Sequence, residues 1–535
     1  MSTATDDRDT ADTPFEGWPT GRRRDPAARA HRWPTDRPVL LAAALVALAV
    51  GVWACWSVTV DDAYITYRYS TNLAHGFGPT WNPGQDPVEG FTNFTWMVWH
   101  APWVWLGVPL PVVSKLTAAA CAAAIVWVLV TEPRTRSGAV LAAGSFVLFL
   151  PTWVHVDSGL ETAPFALVVL RTTVLAARLL RDRDAAVRSW EIPALLLLAG
   201  TLRPDGVLGV LPALSVLLWV RHTDRSVWVA TAGAAVVGGV YLAARWAYFG
   251  HLLPNTFYVK VGVEAATDGR WIQTTAATLL PLLALAVAAL LRPRTAAPAA
   301  LVLTSCTALW IIPALSAPAM DYLSRFAWHG FPMLCLAAAW ALDTVEVRRV
   351  AAGAAAVGVV WTTAAGVLAP DARTMVNYGD DLRRSHIAIG LALADTDLPA
   401  GERTLAVSDA GAMPYFSGWR TTDYIGLNDE RIAHGANPTD VLLADDPQVV
   451  VVTSSSPVPP PGSWRTDLTR VLAGRELVGV AQMRPEYFQL VFAKPDVAPQ
   501  VRAALDRRLA EGRAVTDARL DPGYSRWLER ILGLS

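Results

Sequence analysis

The chain has 535 residues, 53% of them hydrophobic and only 17% charged, with a mean hydropathy of +0.32. Its 45 Lys and Arg face 46 Asp and Glu, a net charge of −1 that offers no electrostatic footprint for a nucleic acid. Several apolar runs approach or exceed the ~20 residues a helix needs to cross hydrocarbon, so a string of soluble domains is excluded in favour of a polytopic membrane protein.

Residues 1–38, rich in Asp, Arg, Pro and Thr, read as a disordered cytoplasmic tail. The apolar run after them has no small-residue cleavage site before Asp61, so it is expected to remain as an anchor. Arg22, Arg23, Arg24, Arg32 and Arg37 precede it, and a cluster of that kind marks the cytoplasmic flank of a span. From there the chain threads as about eleven spans, near 39–58, 111–131, 138–154, 163–180, 191–202, 206–220, 227–247, 272–291, 297–316, 326–342 and 350–368. The inner turns then carry arginine pairs such as Arg134/Arg136, Arg292/Arg294 and Arg348/Arg349. The outer turns carry mixed acids and bases with His and Asn. This places the protein in the plasma membrane with its N-terminus inside.

The segment 59–110 is too polar at its start, and too broken by Pro and Gly, to be a span. It reads as a large external loop whose tryptophans (Trp96, Trp99, Trp103, Trp105) lie at the interface. It opens on Asp61-Asp62, and the spacing of Tyr64, Arg68 and Leu73 predicts an amphipathic helix with the acids at its N-terminal end. One acid would serve as a cap; a second beside it at a bilayer surface points to a substrate path or reaction centre. Further along come Val88-Glu89-Gly-Phe-Thr-Asn93, Ser158-Gly-Leu-Glu161-Thr, Arg203-Pro-Asp205-Gly, and Leu253-Pro-Asn255-Thr-Phe-Tyr-Val-Lys260. In so tight a turn Arg203 and Asp205 should pair or meet a ligand, and Lys260 is a point charge suited to a phosphate. After Pro370 the composition becomes that of a soluble domain. Short β-rich runs (Thr404–Val407, Val449–Thr453) alternating with helical stretches predict a small extracytoplasmic α/β domain over 371–535.

Taken together, the outer turns offer acids able to take a hydroxyl proton and cations able to stabilise a departing phosphate. No phosphate loop, zinc motif or Rossmann fingerprint stands in a supporting context. The four cysteines (Cys55, Cys121, Cys306, Cys335) read as small core residues, and no residue is assigned as a metal ligand.

In their order along the chain these motifs resemble the GT-C superfamily of integral-membrane glycosyltransferases, most closely the actinobacterial terminal arabinofuranosyltransferase type. The resemblance spans roughly residues 39–430, including Val407-Ser-Asp409-Ala-Gly411 through Tyr415, then Asp423, Gly426-Leu427 and Asp429. It implies a GT-C-like helical bundle carrying the α/β domain. It also implies inverting transfer of a sugar, arabinofuranose foremost, from a polyprenyl-phosphate donor to a cell-wall glycan outside the membrane. The base would be Asp61 or Asp62, with Asp61 slightly favoured. Arg68, Glu89, Asn93, Glu161, Arg203, Asp205, Asn255 and Lys260 would contact substrate. No cofactor is required, although a divalent cation is able to bridge the acids and the donor phosphate. A flippase or carrier of lipid-linked saccharide is the alternative, but internal repeats and midplane charges, its usual marks, are not seen. A glycan-binding scaffold would leave the acidic pair without a purpose.

Overall fold

The computed structural model describes residues 36–261, 269–316, 320–513 and 523–534, so the tail expected over 1–38 lies almost wholly outside the described residues. Helix α1 (Arg37–Ala54) is followed by two shorter helices, α2 (Asp61–Ala74) and α3 (Phe94–Trp105), in the segment read as a loop. The chain returns through α4 (Leu110–Thr131). The third expected span is broken into α5 (Arg136–Val147) and α6 (Leu150–Asp157), which meet at 55°. Pro151 opens the second piece, where its missing N–H costs nothing but forbids continuation from the first. Then come α7 (Thr162–Arg181), α8 (Glu191–Leu202), α9 (Gly206–Val220), α10 (Arg225–Phe249) and α11 (Asn255–Val261). The eighth span is also split, into α12 (Arg270–Thr278) and α13 (Leu280–Ala289) at 79°, again with a proline (Pro281) at the start of the second piece. After α14 (Ala296–Ser316), the tenth span starts later than expected. A separate turn, α15 (Arg325–Trp328), precedes α16 (Phe331–Leu342), and α17 (Arg348–Val367) completes the set.

Among the described residues six of these helices are long and apolar enough to cross a membrane alone, or eight if each bent pair is one span. The apolar helices α8, α9 and α16 are shorter. Every residue of α16 is buried, its alanines letting neighbours approach closely, whereas α10 is almost entirely exposed and presents a lipid-facing surface. The chain is a multi-pass membrane protein.

Polar contacts fix which turns share an end. Arg37 donates to the carbonyls of Thr131 (2.8 Å) and Pro133 (2.5 Å), tying the start of α1 to the end of α4. Asp343, past α16, accepts from the backbone N–H of Arg134 and of Thr135, both at 2.8 Å. Arg178 pairs with Glu132, and Arg221 donates to the Arg183 carbonyl at 3.0 Å. The arginine-bearing turns therefore gather at one end of the bundle, and the motif-bearing turns lie at the other.

The C-terminal part begins with α18 (Ala372–Leu382), a π-helical turn over Arg383–Ile387, and α19 (Ala388–Ala394). It continues as β1 (Thr404–Val407), α20 (Ala412–Ser417), β2 (Arg420–Asp423), α21 (Glu430–Ala433), α22 (Pro438–Asp445) and β3 (Val449–Ser454). A two-stranded hairpin of β4 (Gly462–Ser463) and β5 (Thr466–Asp467) leads to α23 (Leu468–Val471), β6 (Glu476–Arg484), β7 (Tyr487–Ala493), α24 (Ala498–Arg513) and α25 (Tyr524–Ile531). The main sheet runs β2-β1-β3-β7-β6, parallel across β2, β1 and β3 and antiparallel at the other edge. β3 is almost wholly buried because both faces are covered, and its valine run reads accordingly. At the carboxyl ends of the parallel strands, where α/β sheets usually place their chemistry, the loops after β1 and β2 reach α2.

Candidate functional site

Adjacent residues at the start of a helix point about 100° apart, and that separation divides the acidic pair. Asp61 is buried. Its Oδ1 accepts from the Ala412 N–H at 2.8 Å and its Oδ2 from the Gly411 N–H at 3.1 Å, so it caps α20 from across the domain boundary. The approach is close enough that a Cβ at Gly411 would collide with Asp61 itself. Burial pushes the Asp61 carboxyl up to about 6, with the His386 charge opposing and Asp409 adding to the rise. Asp62 is half-buried and makes no hydrogen bond or ion pair among the described residues.

One turn on from Asp62, Thr66 Oγ1 lies 3.2 Å from Asn93 Oδ1. Asn93 Nδ2 donates to Glu161 at 2.8 Å, and Glu161 in turn pairs with Arg203 at 3.1 Å. Arg203 also grips Asp205 in a fork, at 3.0 and 3.1 Å. Its charge is thus met by two carboxylates. The S-G-L-E-T motif supplies the turn: Gly159 has φ +87°, and a Cβ there would press on Tyr67 and Ala63.

Arg325 is the residue the sequence reading passed over. It is buried at the start of α15, lies over the rings of Phe326 (4.7 Å) and Tyr322 (5.3 Å), and makes no ion pair among the described residues. Its Nε finds no hydrogen-bond partner among them. Met320, Leu323 and Ser324 just before it all have left-handed backbones, with φ of 63°, 51° and 53°. Three non-glycine residues in that region cost of order 1–3 kcal/mol each and persist only where the surroundings impose them. Here Asp371 accepts from Leu323 N–H at 2.6 Å, while Nε2 of His155 meets the Leu323 carbonyl at 3.1 Å. Tyr322 ties the cluster together. Burial raises its hydroxyl to about 12, with Arg325 lowering it and Asp62 and Glu161 raising it, so all three charges lie within its electrostatic reach.

The remaining expected residues take other places. Arg68 is buried, donates to the carbonyls of Trp81 (2.9 Å), Trp419 (2.8 Å) and Pro414 and to Asn82 Oδ1 (3.0 Å), and stacks on the Trp81 ring. With its donors spent on the chain itself, it braces α2 against the C-terminal domain. Glu89 is locked to Arg245 at 2.6 and 2.8 Å, and burial still pushes its carboxyl up against that pairing. The Glu89 carbonyl accepts from the Asn255 N–H at 3.1 Å, and the Asn255 side-chain amide nitrogen is buried without a partner among the described residues. Lys260 lies in α11 on the same connection. Trp96, expected at the interface, is buried and donates to the Gly159 carbonyl at 3.0 Å.

Two further features border the site. Past β1, Asp409 gathers His386 (2.8 Å), Tyr487 (2.7 Å) and Gln489 (2.9 Å). Burial alone would lower His386, but the Asp409 bond and the Asp61 and Asp409 charges leave it above its usual value; Asp409 is correspondingly held low. A cavity of about 410 Å³, lined among others by Trp53, Trp56, Tyr64, Lys115, Arg383 and Arg530, opens between α1, α4 and the C-terminal domain. Tyr64 stands two residues, about 200°, from Asp62, so the cavity and the Asp62 face lie on opposite sides of α2.

Compared with known proteins, residues 376–500 match the profile of a domain of unknown function, DUF8728. No curated protein matches the chain. Two crystal structures of ArnT from Cupriavidus metallidurans are similar in fold. The one bound to undecaprenyl phosphate has a TM-score of 0.54 at 15% identity over 85% of this chain and 97% of that one. The chain has the GT-C fold. The apo form of ArnT gives the same score and identity over 87% of this chain and 98% of the other. The resemblance read from the motifs thus extends to the fold, over most of both chains.

Proposed function

We propose that this protein is a membrane glycosyltransferase. It transfers a sugar, arabinofuranose first among candidates, from a polyprenyl phosphate to a cell-wall glycan on the external face. The observation that carries the reading is the meeting of opposites around Tyr322: a carboxylate, Asp62, with no bonded partner among the described residues, and a buried guanidinium, Arg325, with no ion pair among them. A buried cation left unpaired is costly and calls for an anion. The similar ArnT structure binds undecaprenyl phosphate, which supports a lipid phosphate as that anion.

In the proposed reaction the acceptor hydroxyl loses its proton to the Asp62 carboxylate as its oxygen bonds the anomeric carbon. The carbon–oxygen bond to phosphate breaks on the opposite face, and polyprenyl phosphate leaves with the bonding electrons. Arg325 faces the developing phosphate charge. Arg203, already neutralised by Glu161 and Asp205, orients the floor of the site. The base role falls to Asp62 rather than Asp61, because both Asp61 oxygens are held by amides.

Incubating the purified protein with radiolabelled polyprenyl-phosphate sugars and cell-wall oligosaccharides tests the reading. Labelled product that disappears in Asp62→Asn and falls about 10²–10³-fold in Arg325→Gln is expected. Movement of donor lipid across vesicles without product would favour a carrier instead.

A further inference from the structure

Away from the reaction end of α2, the connection after α10 meets the C-terminal domain through three side chains of one chemical kind. His251 Nε2 lies 2.5 Å from Glu430 Oε1. The His251 and His434 rings stack with centroids 3.9 Å apart at 23°. One ligating atom from each of the three residues falls within 4.8 Å of the others. Glu430 opens α21 and His434 caps it, four residues on, so both project from the same face of one helical turn.

We propose that His251, Glu430 and His434 form a binding site for a divalent transition-metal ion, Zn²⁺ in particular, which clasps the α10–α11 connection to the C-terminal domain. Two imidazoles and a carboxylate are borderline donors that suit zinc and leave a fourth position for water. Tetrahedral zinc with bonds of about 2.0–2.1 Å holds its ligand atoms roughly 3.3 Å apart. The donors therefore need to close by about 1.5 Å at most, within reach of side-chain rotation. Such rotation is open to them, since the His251 and Glu430 side chains are 33% and 38% exposed. Tyr258 packs on the His434 ring at 4.5 Å, so α11, which carries Asn255 and Lys260, is seated by the same cluster. Spacing hid the site from the sequence reading: its ligands sit 179 residues apart along the chain.

The test uses full-length protein in detergent, stripped with a chelator and titrated with Zn²⁺ against a chromogenic competitor. Wild type should bind one ion per chain, with the melting temperature rising on zinc addition. Glu430→Gln keeps the shape and a hydrogen bond to His251 and so preserves the fold. It should bind at least about tenfold more weakly and lose the thermal shift, as should His251→Ala and His434→Ala. Asp62→Asn should bind as wild type does. Zinc uptake unchanged by all three substitutions overturns the proposal, as does no uptake by a monodisperse wild-type protein.

Discussion

Two neighbouring aspartates, one held by amides and one with no bonded partner among the described residues, give a direct comparison of single residues. Asp61 satisfies two amides of the C-terminal domain, so Asp61→Ala should lower stability by about 1–3 kcal/mol, seen as a drop in melting temperature. Asp62→Asn should leave the melting temperature unchanged while removing about 10²–10⁴-fold in transfer. A melting temperature that falls equally in both would mean that Asp62 is structural too. Arg68→Ala strands several buried carbonyls and should cost about 2–4 kcal/mol, in contrast to the substrate-affinity loss expected had it touched a ligand. The sequence showed the acidic pair but not the division within it, because the amides that claim Asp61 lie some 350 positions away. Arg325 was legible only as one more arginine beside a span; nothing local reveals that no carboxylate among the described residues comes to meet it.

For elements, hydropathy located all eleven apolar segments, since each must be apolar somewhere along its length whatever its neighbours do. It failed at their breaks. Pro151 and Pro281 were visible, yet whether a proline merely kinks a span or starts a new helix depends on what packs beside it. The segment Met320–Ser324 was invisible for a related reason: its central left-handed residue, Leu323, is held by Asp371 and His155 from distant parts of the chain, and no glycine advertises the turn. That strain is testable. Ser324→Gly should relieve roughly 1 kcal/mol and raise the melting temperature slightly, while lowering turnover because Arg325 is held less firmly. Equal or higher turnover would show that the strained backbone plays no part in placing the guanidinium.

Across the whole molecule, the seam between bundle and C-terminal domain gathers three ionisable groups displaced from their ordinary values. Asp61 is raised to about 6, so its contribution is present below the ordinary carboxylate range and lost as pH rises through that value. His386 is also raised, so its charge pairing with Asp409 is present below the usual imidazole range and lost as pH rises through its own higher value. Asp409, held low, adds the opposite limb, which disappears only on strong acidification. The two raised groups share a sign, so thermal stability should decline as pH rises from the ordinary Asp range through about 6, and decline further as it passes above the ordinary His value. His386→Asn should flatten the upper part of that decline in a melting series. The seam also carries a consequence for how the protein is made. A ribosome has released α2 long before it reaches Ala412, 351 positions after Asp61, so every nascent chain passes through a stage in which Asp61 has no amides to hold. The motif-bearing end of the bundle is therefore completed last, and a truncated or stalled chain would sit in the lipid already inserted but without the C-terminal contacts that hold α2.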